Sequence, residues 1–225
     1  MKLLAFDTAT EACSAALLHD GGLIERYELL GRGHAERLLP MVDELLAEAG
    51  IRLSALAAIA FGRGPGGFTG LRVAAGTAQG LAAGARIPVL PVSDLAAIAL
   101  AGSGLSGNRV LVCMDARMGQ VYWAAFDCSG DQPVALTAEA VADPADVMPP
   151  DSGPWFGAGH GFAAYPAIAA RLGKKLAGTA ADLLPRAADI ARIAAIDCAA
   201  DRGVPAAQAL PVYLRNQIVR RRDGV

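Results

Sequence analysis

Apolar runs of strand length and apolar positions at helical spacing alternate along the first hundred residues. Lys2–Phe6 predicts a buried strand, and Cys13–Leu18 and Leu23–Leu30 predict two return strands after short polar turns. Helices are predicted next at Ala35–Ala49 and Leu71–Ala83, each followed by a strand, Leu56–Phe61 and Ile87–Val92 respectively. A third helix, Asp94–Ala101, is predicted to be capped by Asp94. Because a Rossmann domain opens with a strand and a crossover helix, this opening indicates a different α/β fold.

The opening pattern recurs half-way along the chain. Leu3–Thr8 leads through a turn to Cys13–Leu17, and Val110–Arg117 leads through a turn to Gln120–Phe126. Each copy is an apolar strand that ends in an aspartate, then a small polar turn and an apolar return strand. This duplication resembles the plan of the actin, hexokinase and acetate kinase superfamily. We therefore expect an α/β, actin-like (ribonuclease H-like) fold of two lobes with mixed sheets, the second lobe being reduced.

The expected division of the chain follows from this repeat. The first lobe covers 1–102 and the second covers 108–186, with the glycine- and serine-rich stretch 102–108 as the linker. An amphipathic helix at Ala187–Ala200 begins the remaining segment, 187–225, which is expected to pack back on the first lobe as in actin-like folds.

Composition and charge exclude several classes of protein. The chain has 20 basic and 22 acidic residues, a formal net charge of −2, so there is no general electrostatic case for nucleic-acid binding. Its four cysteines show no Cys-x-x-Cys spacing, which argues against a zinc knuckle or a redox pair. No apolar run is long enough to cross a bilayer or to form a signal-peptide core. We expect a cytoplasmic protein with reduced thiols.

The stretch Phe61–Arg72 is the most unusual segment. It has five glycines within nine positions, between a predicted strand and a predicted helix. Such a loop brings bare backbone close to another group, and the helix start behind it offers unpaired N–H groups to an anion. A tight turn without a ligand explains the same glycines. Phe68 stands where Walker A needs lysine, and Pro65 lies inside a literal match to the dinucleotide fingerprint, so both generic motifs are weak.

Five motifs together resemble the TsaB family, formerly called YeaZ. They are Asp7–Thr10, His34–Pro40, Gly64–Arg72, Asp115–Tyr122 and Tyr213–Arg215, and the resemblance covers essentially the whole chain. It implies a two-lobe scaffold without its own activity that binds and activates the catalytic paralogue TsaD. It also implies a TsaE-type ATPase as a third member and tRNA bound through the complex. The implied reaction threonylcarbamoylates the adenosine 3′ of the anticodon in tRNAs that read codons starting with A.

The candidate chemical groups argue against catalysis by the chain alone. TsaD-type synthases carry a His-x-x-x-His metal pair, whereas Leu38 follows His34 at that spacing here. A single histidine with Glu36 does not supply the three or four ligands of a metal site, and no nucleophile elbow indicates a serine peptidase. Asp7 and Asp115 occupy positions where actin-like kinases orient a metal or water, and capping of its own turn through an Asx hydrogen bond is the alternative role for Asp7. A stand-alone ATP-binding kinase or ATPase is therefore the alternative function.

No cofactor or metal is expected on the chain alone; ATP or ADP and a metal would bind only at a site shared with the partner. The residues assigned to a shared nucleotide or anion site are Asp7, Thr8, Thr10, Gly64, Gly66, Gly67, Phe68, Thr69, Asp115 and Arg117. The glycines of 157–161 are a candidate relic of an adenosine pocket. For the basic cluster of Arg215 and Arg220–Arg222, a solvated tail is favoured over contact with tRNA phosphates.

The first two helices are expected to form the partner surface. Gly76, Gly80 and Gly84 recur every four residues, and because each costs about 1 kcal/mol relative to alanine, close approach of another helix is a reason for them. Packing on the protein's own sheet is the alternative, and the family resemblance favours the partner. The residues assigned to this surface are His34, Leu38, Leu39, Met41, Val42, Leu45, Leu71, Arg72, Ala75, Gly76, Gln79 and Gly80. In isolation the same surface could pair two copies as a homodimer.

Overall fold

The computed structural model describes residues 1–215, and a five-stranded mixed sheet organises the first part of them. Its strands are β1 (Leu3–Asp7), β2 (Ala12–His19), β3 (Gly22–Leu29), β4 (Ala58–Gly62) and β5 (Val89–Val92). The spatial order is β3-β2-β1-β4-β5. The first three strands are antiparallel because tight turns join them. Strands β4 and β5 run parallel to β1 because helices α1 (His34–Ala49) and α2 (Phe68–Ala85) carry the chain back between them.

A second mixed sheet repeats this plan. Its strands are β6 (Arg109–Asp115), β7 (Val121–Asp127), β8 (Val134–Ala135), β9 (Ala140–Ala142), β10 (Trp155–Ala158) and β11 (Leu176–Ala180). The order is β11-β10-β6-β7, with β8 and β9 both paired to the outer edge of β7. Asp7 and Asp115 therefore end the central strands of equivalent hairpins. The predicted duplicated α/β fold is confirmed.

The second lobe is reduced in its helices. Between β10 and β11 the chain forms two short α-helices, α4 (Gly161–Ala164) and α5 (Ala167–Leu172), of 4 and 6 residues, and a 3-10 turn at Gly173–Lys175. The helices on the first sheet, α1 and α2, have 16 and 18 residues. The outer face of the second sheet is nevertheless covered, because Phe162, Ile168 and Leu172 pack on Leu111 and Trp155.

Two further helices, α3 (Asp94–Ser106) and α6 (Ala187–Ala199), lie between the sheets. Helix α6 packs on the first sheet, α3 packs on the second, and the two helices contact each other. One continuous apolar core therefore runs from Leu3 of β1 through Ile190 of α6 to Val110 of β6. The helices α1 and α2 close a separate core on the opposite face of the first sheet.

Two predictions about α3 are wrong. The helix does not end at Ala101 but continues to Ser106, so five of the seven residues of 102–108, which join the two sheets, are helical. Gly102 lies inside α3, where a side chain would reach 3.0 Å from Ala158 Cβ, so this glycine permits close packing on β10. The N-cap is Ser93, whose hydroxyl accepts from the Ala96 N–H at 3.2 Å, and Asp94 turns towards the glycine loop instead.

Among the helices of residues 1–215, none combines the length and hydrophobicity needed to cross a membrane. The four cysteines are free thiols, three of them buried. Of the predicted basic cluster, Arg220–Arg222 lie outside the described residues, whereas Arg215 is half-buried and donates to the Gln120 side-chain oxygen instead of being solvated.

Candidate functional site

A cleft of about 790 Å³ opens between the two sheets where β1 and β6 end. In α/β folds, ligands bind beyond the carboxyl ends of the central strands. Several of the predicted site residues line this cleft: Thr8, Thr10, His34, Gly66, Gly67, Phe68, Thr69, Leu71, Asp115 and Arg117. The two hairpin turns and the glycine loop thus meet at one place.

The glycines of this loop are required mainly by the protein's own chain. A side chain at Gly66 would come within 2.6 Å of the Ala9 carbonyl oxygen, and one at Gly70 would overlap the Thr8 carbonyl. The turn after β1 is therefore clamped against the start of α2, with Gly67 N–H donating to Ala9 O at 2.7 Å. Close backbone packing alone accounts for these glycines, without a ligand.

Asp7 and Gly64 do not line the cleft, contrary to their assignment to a nucleotide site. The Asp7 side chain is completely buried and accepts from Ala9 N–H at 3.2 Å. At Gly64, whose φ is +109°, a side chain would lie 2.7 Å from the Val212 carbonyl oxygen. Asp7 therefore cannot reach a phosphate or metal in the cleft, because the glycine loop seals it off.

The neighbour of Asp7 under this loop is Asp94, which sequence reasoning had interpreted only as a helix cap. Asp94 is also completely buried, and one of its carboxylate oxygens accepts from the Gly64 N–H. Burial raises the pKa of Asp7 to about 6, and burial with the nearby charge of Asp7 raises the pKa of Asp94 well above its ordinary value. An acidic residue at a helix start gives no sequence signal of such a pair.

The corresponding aspartate of the second lobe remains accessible. Asp115 accepts from the Arg117 N–H at 2.8 Å and from the Tyr165 hydroxyl at 3.1 Å. The turn after it places Arg117 and Met118 in the left-handed region, at φ +61° and +55°. Both side chains are exposed, and the Arg117 guanidinium lies 3.3 Å from an Asp115 carboxylate oxygen, so it partly neutralises that charge.

The described residues that line the cleft do not form a metal site. His34 begins α1 and His160 follows β10, and each has a buried ring nitrogen without a partner among the described residues. Burial lowers the pKa of His160 and favours its neutral form. Within residues 1–215 there is no group of three His, Cys, Asp or Glu side chains placed to hold a metal ion. A side chain at Gly157 would meet Phe162, and one at Gly161 would meet Cys113, so packing within the second lobe accounts for both glycines.

The C-terminal strap, residues 204–215, crosses one wall of the cleft. It pairs Val204 with Val89, and its Val212 N–H donates to Arg63 O at 2.7 Å. Tyr213 stacks on Phe68 with ring centroids 5.3 Å apart, while the Arg72 guanidinium lies 3.6 Å from the Phe68 ring centroid. The Tyr213–Arg215 motif therefore contacts the glycine-loop motif, which is distant in sequence.

The predicted partner surface divides into a buried and an open half. Six of its assigned residues are core residues: Leu38, Met41, Val42, Leu45, Leu71 and Ala75. Their assignment is wrong because an amphipathic stripe on a helix beside a sheet faces the sheet. The outward side of the pair instead presents Leu39, 47% exposed, with Arg72, Gly76 and Gly80. Gln79 is half-buried and donates to Ala209 O of the strap at 3.0 Å.

Two sheets of the same strand order, each opened by a hairpin whose first strand ends in aspartate, define an actin-like two-lobe protein. A family model described as "TsaD: tRNA N6-adenosine threonylcarbamoyltransferase" matches residues 22–218. The chain is 44% identical over 224 residues to the tRNA threonylcarbamoyladenosine biosynthesis protein TsaB of Escherichia coli K12, covering 97% of this chain and 96% of that protein. The Haemophilus influenzae TsaB is 40% identical, over 97% and 95% of the two chains.

A solved structure, YeaZ from Pseudomonas aeruginosa, matches with a TM-score of 0.89 and 49% identity, over 95% of this chain and 99% of that one. A second structure is described as a protein with similarity to peptidase YEAZ from the same organism. The chain therefore belongs to the TsaB (YeaZ) family of proteins of tRNA threonylcarbamoyladenosine biosynthesis.

Proposed function

We propose that this chain is a non-catalytic subunit that binds and activates a TsaD-type synthase. The reaction served is threonylcarbamoylation of the adenosine 3′ of the anticodon in tRNAs reading codons that start with A. The observation that carries the proposal is the open glycine face of α2. At Gly76, Gly80 and Gly84, no other described atom lies within 4 Å of where a side chain would begin, apart from the helix's own nearby backbone.

These glycines have no role in the packing of the described chain. Glycine inside a helix costs about 1 kcal/mol relative to alanine. Gly70, in the first turn of α2, offsets such a cost by admitting the turn after β1, whereas a side chain at Gly76, Gly80 or Gly84 would meet no neighbouring atom of that kind. A helix of a partner can approach bare backbone closely, and Leu39 of α1 is an exposed apolar side chain that the same partner could contact.

The cleft supports a scaffold rather than an enzyme. A metal-dependent actin-like site needs the first-lobe aspartate in the cleft, and here Asp7 is sealed under the glycine loop. The Arg63 guanidinium also joins Glu139 of the second lobe, at 3.0 Å, so the lobes are tied beside the cleft. On this proposal ATP or ADP with a metal binds only at a surface completed by the partner.

The proposed assembly is a cytoplasmic complex of this chain, a TsaD-type synthase and a TsaE-type ATPase, with tRNA bound through the complex. When the synthase is absent, the same α1–α2 face pairs two copies of this chain.

Reconstitution tests the proposal. A TsaD-type synthase, a TsaE-type ATPase, tRNA and a source of threonylcarbamoyl-adenylate are combined with and without this chain, and modified adenosine is measured by mass spectrometry. Modification should require the chain, and the chain should co-elute with the synthase. Equal modification without the chain would reject the activating role. Saturable ATP binding by the isolated chain in calorimetry would favour the alternative kinase or ATPase function.

A further inference from the structure

Two carboxyl groups meet under the glycine loop with too few donors for both. Asp7 and Asp94 are each completely buried, and a side chain at Gly62 would overlap the Oδ1 atoms of both. Asp7 accepts from the Ala9 N–H, and Asp94 Oδ2 accepts from the Gly64 N–H. Asp94 Oδ1 finds no donor within residues 1–215, although the Asp7 carboxyl is its neighbour.

The surrounding charges do not compensate two carboxylates. The charge of Asp7 acts on Cys13 of β2 and Tyr27 of β3, and the charge of Arg63, after β4, acts on Asp94. Burial raises the pKa of Cys13 to about 11 and raises that of Tyr27, so both stay neutral at physiological pH. The Arg63 guanidinium is bound to Glu139. Two buried like charges in contact are strongly unfavourable, and binding one proton relieves them.

We propose that Asp7 and Asp94 share one proton at neutral pH, and that this proton fastens the glycine loop at the start of α2. The proton supplies the donor that Asp94 Oδ1 lacks. Asp94 then bonds both backbone groups of Gly64: the Asp94 N–H donates to Gly64 O at 3.1 Å, and Asp94 Oδ2 accepts from the Gly64 N–H. The inference does not rest on the proposed function, because it concerns the chain alone.

The sign of the pH dependence follows from the raised pKa values. The folded pair holds protons that the unfolded chain releases near the ordinary aspartate pKa of 3.8. The stabilisation is complete below that pH and is lost as pH rises through about 6 and beyond. Over that range, the folding equilibrium constant falls about tenfold for each unit that the pH rises, for each proton that only the folded state holds.

The wild-type chain can be tested directly. The infrared spectrum of the wild-type chain minus that of Asp94→Asn should show the carbonyl stretch of a protonated carboxylic acid at pH 7. The Gly64 amide resonance should titrate with a midpoint well above the ordinary aspartate range. Absence of the protonated band at pH 7 would overturn the proposal. Saturable stabilisation by added Mg²⁺ that disappears in Asp7→Asn would also overturn it, since the pair would then hold a cation.

Two substitutions of Asp94 distinguish the effect of the shared proton on the Gly64 titration from the effect of side-chain packing on stability. In Asp94→Asn the amide nitrogen can donate to Asp7 while the amide oxygen still accepts from Gly64, so the variant should fold and its Gly64 resonance should lose the titration. Asp94→Ala removes both roles and should lower the melting temperature at every pH. The control is Asp189→Asn, a buried carboxylate paired with Arg192 at 2.7 Å, which should leave the Gly64 titration unchanged. A Gly64 titration that survives Asp94→Asn, or disappears in Asp189→Asn, would reject the proposal.

Discussion

The Arg215 guanidinium donates a hydrogen bond to the Gln120 side-chain oxygen, 2.7 Å away, and so joins the end of the strap to the second lobe. A weaker contact reaches Arg117 O at 3.3 Å. Two residues earlier, the Tyr213 hydroxyl accepts from Arg72 Nε of α2 at 3.1 Å. The strap therefore connects the open face of α2 with the turn after β6.

Arg215→Ala should loosen the strap without unfolding the chain. Loss of the bonds to Gln120 and Arg117 is expected to cost about 1 kcal/mol, because they are partly solvated. Hydrogen exchange at the Val212 amide, which bonds Arg63 O, should accelerate. Arg202→Ala, which removes an exposed ion pair with Asp197, is the control and should leave Val212 exchange unchanged. Unchanged protection of Val212 in Arg215→Ala would show that the strap is held by its other contacts.

Gly80→Leu should separate partner binding from folding. The new side chain meets open space in the isolated chain, and leucine is the better helix former, so the melting temperature should stay the same or rise. At a close helix–helix contact it should cost about 1–3 kcal/mol, a loss of about five- to hundredfold in affinity for the TsaD-type synthase. Titration calorimetry measures this affinity.

Ala78→Leu on the same helix is the matched control for Gly80→Leu. Ala78 is completely buried against the first sheet, so its enlargement should destabilise the isolated chain. Wild-type affinity for the synthase in a folded Gly80→Leu variant would show that this face is not the interface.

Ile190→Ala should destabilise both lobes together. Ile190 is completely buried in the core that α6 shares with both sheets, and such a truncation costs about 2–5 kcal/mol. Calorimetry should still show one transition, shifted down, whereas Leu105→Ala at an exposed position should leave it in place. Two separate transitions would mean that the lobes unfold independently.

The isolated chain should hydrolyse neither ATP nor peptides. Asp7 is sealed from the cleft, and the described residues hold no group of three His, Cys, Asp or Glu side chains placed to bind a metal ion. Phosphate and peptide release should therefore equal those of a mock preparation. Robust turnover that is lost in both Asp7→Ala and Asp115→Ala would contradict this expectation.

Much of the fold was predictable because it depends on local periodicity. The strands and helices of the first lobe lie within a few residues of the predicted spans, and the repeated hairpins at Asp7 and Asp115 identify the duplication. Helix α3 was predicted too short, because glycine and serine at 102–106 are typical of loops. In the structure these residues stay helical where Gly102 packs on β10, so tertiary contact overrides their weak helix propensity.

The candidate site was only partly predictable. By itself the sequence determined which segments carry the chemistry: two strand-ending aspartates, a glycine loop and a short Tyr213–Arg215 motif. It could not determine what lies opposite each group, because periodicity shows which face of an element is apolar and not what covers that face. Only the tertiary structure decided that the α1 stripe is internal and that Asp7 is paired with Asp94. Those outcomes depend on contacts between residues far apart in the chain, which form when the loops and helices pack together.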